Sequence, residues 1–186
     1  MTAVTTETGL PGYEAATWTI DPVHSEVGFS VRHMMVSKVR GRFTRFSGQI
    51  VTAEDPTQSS VTAEIDLSSI STGQEQRDDH IRSADFFEVE TYPTMTYRSV
   101  GIKVEDGEYV LEGDLTLKGV TRSVPLKLEL QGFGPDAYGG YRAGFTATGE
   151  INRSDFNVSF NAPLANGGVV VGEKVQLQLE IEAVKA

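Results

Sequence analysis

The stretch VQLQLEIE at 175–182 puts Val175, Leu177, Leu179 and Ile181 at every second position, with Gln176, Gln178, Glu180 and Glu182 between them. Successive side chains of a strand point to opposite faces, so this segment reads as a strand with one apolar and one polar side. The same period recurs upstream. Tyr141, Ala143, Phe145 and Ala147 share a face, as do Val124, Leu126, Leu128 and Leu130. Tyr109, Leu111, Gly113, Leu115 and Leu117 form another such row, and Val61, Ala63, Ile65, Leu67 and Val27, Phe29, Val31 two more. Shorter strand candidates lie at 17–20, 48–53 and 94–104. Asp106-Gly107 is a hairpin signal, Lys118-Gly119 separates the next pair, and GFGPDAYGG at 132–140 is a longer loop. Tight hairpins join antiparallel neighbours, so the chain reads as an all-β meander that closes into a barrel or stacks as a sandwich.

One segment has a different period. In QEQRDDHIRSADFF at 74–87, Asp78, Ile81, Ala84 and Phe87 recur at helical spacing, predicting a helix outside the barrel. Thr72 and Glu75 form a capping-box signature ahead of it, and Asp78 and Arg82 are spaced to pair. A second, short helical turn is a candidate near Met35 to Gly41.

The chain has 186 residues, the size of one domain, with 39% apolar and 23% charged residues and no cysteine. A net charge of −10 speaks against nucleic acid, disfavours anionic membrane surfaces, and is otherwise what solubility asks for. No apolar run is long enough for a membrane helix, so no stable membrane insertion is expected. The opening MTAVTTETGLPGYEAAT shows neither the basic nor the apolar region of a secretory signal. The expectation is therefore a flexible tail over 1–16, a barrel domain over 17–186, and a cytoplasmic location.

A soluble barrel turns its apolar rows inward, and an eight-stranded one is either filled by its own side chains or holds one small ligand. Gly28, Gly113, Ala143 and Ala147 are small and leave room, although Gly28 and Gly113 can equally be bend points. By parity, Phe29, Val31, Leu111, Leu115, Phe145, Leu177 and Leu179 face the interior and are the candidate tunnel residues. The histidines are His24, His33 and His80, with no HxH or HExxH spacing, so no metal site is expected. His24 reads as part of a hydrogen-bonded turn with Asp21, while His33 points inward as a core residue or a head-group donor. Arg77, Asp78, Asp79 and His80 cluster on the helix, where a solvated face and acid–base chemistry share one composition. There is no GxSxG elbow and no phosphate loop, so neither a catalytic set nor a cofactor is expected.

Several motifs occur in a fixed order: DPVHS at 21–25, VRH at 31–33, GRF at 41–43, RDDHIRSADFF at 77–87, Tyr92-Pro93, GDLTLKGVT at 113–121 and INRSDF at 151–156. Together they resemble the YceI family, the bacterial polyisoprenoid-binding lipocalin-like proteins, from Trp18 to about Val184. The resemblance implies an eight-stranded antiparallel lipocalin-like barrel with an external helix and a long apolar tunnel for isoprenoid or other amphiphilic chains. It implies no established catalytic residues. It makes a homodimer a candidate, and places many members in the periplasm. The expected function is to bind a long-chain isoprenoid or fatty amphiphile as a carrier, storage or sequestering protein. His33, Arg40, Arg42 and Arg77 are the candidate head-group residues at the mouth. The alternatives are an enzyme on a lipid-like substrate, with His33 or His80 as acid/base, and a filled barrel acting through its outer surface.

Overall fold

The period-two rows become strands in the computed structural model, which describes residues 10–162, 164 and 170–186. In chain order they are β1 (Ala16–Ile20), β2 (Glu26–His33), β3 (Ser37–Phe43), β4 (Phe46–Thr52), β5 (Ser60–Asp66) and β6 (Ile70–Ser71). After α1 (Glu75–Arg82), the one α-helix among the described residues, come β7 (Thr94–Glu105), β8 (Glu108–Leu117), β9 (Val120–Ser123), β10 (Leu126–Pro135), β11 (Tyr141–Asn152) and β12 (Val171–Lys185).

Pairing reduces these to a closed eight-stranded antiparallel barrel. β1 and β2 lie end to end along one edge of β12, with Ile20 opposite Ala183 and Glu26 opposite Glu180. They act as one long strand broken at 21–25. β3 with β4, β5 with β6 and β9 with β10 are broken strands of the same kind. The meander then runs in order from the first pair to β12, and β12 closes on the first pair. Closure leaves no open edge on the barrel wall. No helix among the described residues is long and apolar enough to cross a membrane.

One of two clusters of buried apolar residues closes the interior at the end where β1, β10 and β11 meet. Trp18 is fully buried there with Ile20, Ile50, Ala143, Phe145 and Ala183, and its indole N–H donates to Thr52 Oγ1 at 2.8 Å. Phe133 and Tyr13 stack edge-on at 5.1 Å beside it.

Four expectations need correction. The helix is Glu75–Arg82 rather than 74–87, because Ser83 turns extended and its hydroxyl donates to the His80 carbonyl. Residues 83–92 then fold as consecutive turns, with Phe87 N–H on the Ile81 carbonyl at 3.0 Å. The Thr72–Glu75 capping box is absent. Thr72 instead gives both its N–H and its hydroxyl to the buried Asp78 carboxylate, and Arg82 pairs with Asp79 at 2.9 Å. The helical turn near Met35 to Gly41 is the β2–β3 hairpin. Its apex is Met34 to Val36, and Val39, Gly41 and Phe43 alternate with Lys38, Arg40 and Arg42. The tail expected through Ala16 is docked from Tyr13 onward: Tyr13 is buried, its hydroxyl donates to the Ala53 carbonyl at 2.6 Å, and Ala16 opens β1. Residues 1–9 of that tail lie outside the described residues.

Candidate functional site: an apolar tunnel

Eight strands with inward apolar rows enclose a cavity of about 730 Å³. Phe29, Val31, Leu111, Leu115, Phe145, Leu177 and Leu179 all line it. Parity suffices to place them, since each sits on the inward row of its strand. From Tyr109 to Leu117 the inner row of β8 extends ~26 Å along the strand. With the usual strand tilt that is a depth of ~20 Å along the axis.

Two glycines on the inward rows shape the wall. Gly41 lies beneath the Phe29 ring, and Gly113 beneath the Tyr97 ring, so a Cβ at either would enter the aromatic ring. The room expected at Gly113 is therefore occupied by Tyr97, whose hydroxyl donates to the Val124 carbonyl at 2.8 Å. Burial pushes the Tyr97 phenol well above its ordinary value. Gly28 is on the outer parity, between Gln178 and Arg42, and borders the cavity without belonging to the inward row of β2.

The two ends of the cavity differ. Tyr13, Thr52, Pro56, Ser59 and Tyr109 bound it at the Trp18 end. At the other end it meets His33, Thr72, Gln74, Gln76, Arg77 and His80, below α1. Arg77 is fixed there by its own loop, donating to Thr72 Oγ1 at 2.7 Å and to the Thr72 carbonyl at 2.8 Å. His80 Nε2 lies 2.8 Å from Asp85 Oδ2, and its ring meets Phe86 and Phe160 edge-on at 5.1 and 5.0 Å. The structure brings His33 and Arg77 to the mouth but not Arg40 and Arg42. Those two are exposed on the outer face of β3, because the strand alternation that carries Val39 and Phe43 inward carries them out.

Sequence reasoning missed Arg153. It is buried, lines the cavity, and gives its guanidinium N–H groups to the carbonyls of Gly172, Val158 and Phe160 at 2.8 Å and of Val171 at 3.3 Å. Desolvation pulls its pKa below the ordinary arginine value, partly opposed by Glu173. The signal was the INRSDF motif, which sits where β11 ends and the chain turns back toward β12.

DPVHS proves to be a joint of the barrel wall. Asp21 Oδ2 takes Arg142 at 2.8 Å and His24 Nδ1 at 2.7 Å, so the hydrogen-bonded turn expected at His24 is present. Arg142 also reaches Asp136 and Glu182 at 2.9 Å each. Asp21, His24 and Glu182 stand close enough to share a cation, but the Arg142 guanidinium already supplies the positive charge.

With this geometry in hand, comparison with known proteins is decisive. The family model of the YceI-like domain matches residues 18–183. The chain belongs to the YceI-like family. A UPF0312 protein of Photorhabdus laumondii is 40% identical over 163 residues, covering 87% of this chain and 82% of that one. The crystal structure of Burkholderia cenocepacia BcnA superposes with a TM-score of 0.77 at 26% identity, over 88% of this chain and 98% of that one. A domain from Saccharophagus degradans, described as polyisoprenoid-binding, superposes with a TM-score of 0.66 at 18% identity, over 93% and 100%. At that identity the likeness is one of fold. This YceI-like chain thus has the family's closed barrel, and Tyr13 lies outside the matched region.

Proposed function

We propose that this YceI-like barrel binds one long isoprenoid or comparable amphiphile in its interior and serves as a carrier, storage or sequestering protein. The observation that carries the reading is the 730 Å³ cavity with Phe29, Val31, Leu111, Leu115, Phe145, Leu177 and Leu179 on its wall. Each buried CH₂ contributes ~0.8 kcal/mol, so a chain threaded along such a wall binds without any specific contact. His33 and Arg77 are the head-group residues in this reading, and Arg40 and Arg42 are not. The polyisoprenoid-binding description of the Saccharophagus domain supports the ligand class.

Binding rather than catalysis is favoured by how the mouth is wired. Among the described residues the His80 ring is held by Asp85, and the hydroxyls of Ser37 and Ser83 bond the His33 and His80 backbone carbonyls, so neither imidazole has a hydroxyl partner to serve as an activated nucleophile.

The test is Leu115→Trp, read by chemical denaturation and by displacement of a fluorescent fatty-acid probe with farnesol, geranylgeraniol and solanesol. In an open tunnel the larger ring costs less than about 1 kcal/mol of stability yet weakens the longest prenol at least tenfold. In a filled core it costs ~1–3 kcal/mol through overpacking. A wild-type protein that never binds the probe, together with a strongly destabilised variant, would overturn the reading.

A further inference from the structure

We propose that the β2–β3 hairpin at the tunnel mouth docks the barrel onto the surface of an anionic lipid bilayer. The chain as a whole carries −10, yet the outer face of this hairpin reverses that sign. Arg32, Lys38, Arg40 and Arg42 all lie on it and are exposed. Among the described residues none of these side chains has an ion-pair or hydrogen-bond partner. Several cations elsewhere on the wall are neutralised, Arg45 by Asp66, Lys103 by Glu105 and Glu112, and Lys127 by Glu108, and among the described residues the exposed Arg98 of β7 stands alone rather than in a cluster. The register even sets Arg32 directly opposite Lys38, an arrangement that destabilises a strand pair. Negative charge brought from outside the molecule relieves such a pairing.

The groups around the hairpin leave this field intact. β12 presents Gln176 and Gln178 beside Ser30 and Gly28, and in its bulge opposite Arg32 Glu173 is engaged by Ser154 and Arg153 and Lys174 by Glu150, while β6 presents Ser71 beside Arg42. The acids Glu26 and Glu180 face each other at the end of the hairpin away from its apex. Across the mouth Asp78 is held by Thr72, Asp79 by Arg82 and Asp85 by His80, while Glu75 is exposed, so the hairpin rather than α1 is the docking edge. The acidic far wall lies beyond the ~10 Å over which charge is felt at 0.1 M salt.

The apex adds what an acidic protein would not need. Met34, Met35 and Val36 are consecutive and 45%, 48% and 85% exposed. Met34 and Met35 hold φ values of 52° and 64°, a left-handed conformation unfavourable for side chains of this kind. Arg32 and Lys38 each lie two residues behind that apex, ~7 Å along the strand. An interfacial anchor buries its apolar part ~5–10 Å below the head groups, which leaves these cations level with the phosphates. His33, at the root of the apex, lines the tunnel, so docking sets the mouth against the bilayer and a chain passes in without crossing water. The docking surface does not depend on what fills the tunnel, and its failure leaves the tunnel reading standing.

Sedimentation with vesicles tests it, using phosphatidylcholine alone and an equal mixture with phosphatidylglycerol. The wild type is expected to bind the mixed vesicles, to bind the neutral ones at least tenfold less, and to release as salt is raised. Lys38→Gln with Arg40→Gln should weaken mixed-vesicle binding about twenty-five-fold, from about fivefold per cation. Met35→Ser with Val36→Ser should weaken it at least threefold. These positions are exposed, and an unchanged melting curve checks that each variant is folded. Equal binding by wild type and the double cation variant, or no binding to either vesicle, would overturn the proposal. So would binding that ignores the apex substitutions while poly-glutamate competes for the hairpin, which would make the face one for an acidic protein.

Discussion

The Tyr97 ring of β7 lies directly over the backbone of Gly113 on the adjacent strand β8, leaving no space for a side chain at that position. The glycine and the tyrosine form one packing unit inside the wall, anchored by the Tyr97–Val124 hydrogen bond at 2.8 Å. Gly113→Ala should therefore cost ~1–3 kcal/mol by overpacking, measured by chemical denaturation. A variant as stable as wild type would show that the ring has an alternative position.

Asp21 makes stability depend on acid. Its carboxyl is held far below the usual carboxylate range, chiefly by the Arg142 hydrogen bond and next by His24. A depressed folded pKa means that this stabilisation is complete above the unfolded value of roughly 4 and is lost as pH falls below it. Asp21→Asn should cost about 1–2 kcal/mol near neutrality, and the gap to wild type should shrink below about pH 4. Denaturation series from neutral to acid pH check this, and a gap that stays constant into strong acid would contradict it.

Arg153 binds the start of β12 to the chain following β11 through four carbonyls, with the Glu173 carboxylate 3.9 Å away. Arg153→Ala leaves those buried acceptors unpaired and should cost about 3–5 kcal/mol. Arg153→Lys should recover less than half of that, because a single ammonium cannot reproduce the planar fork. Full recovery by lysine would show that charge, not geometry, is what the site needs.

The tunnel was legible because a strand's period of two is exact: one inward residue sets the facing of every second neighbour, and all seven candidate tunnel residues line the cavity. The placing of Arg40 and Arg42 at the mouth makes no use of that rule, in a segment expected to be a helical turn, and the alternation of β3 carries both outward. The breaks within the long strands left no local mark, since a kinked strand keeps its alternation on either side. Extending the helix through Phe87 favoured the wrong aromatic. The turns after Ser83 bury Phe86 and leave Phe87 half-buried. Arg153 stayed hidden because arginine is mostly exposed, and its carbonyl partners come from chain segments that meet only after folding.

The central claim is that the barrel holds one long apolar chain. Native mass spectrometry of the freshly purified protein, with and without added farnesol, geranylgeraniol or solanesol, tests it most directly. The account predicts a one-to-one complex whose added mass matches an organic-extractable amphiphile or the supplied prenol. It also predicts that Leu115→Trp loses the longest prenol first. Apoprotein mass alone, from fresh material and with every prenol added, would contradict it.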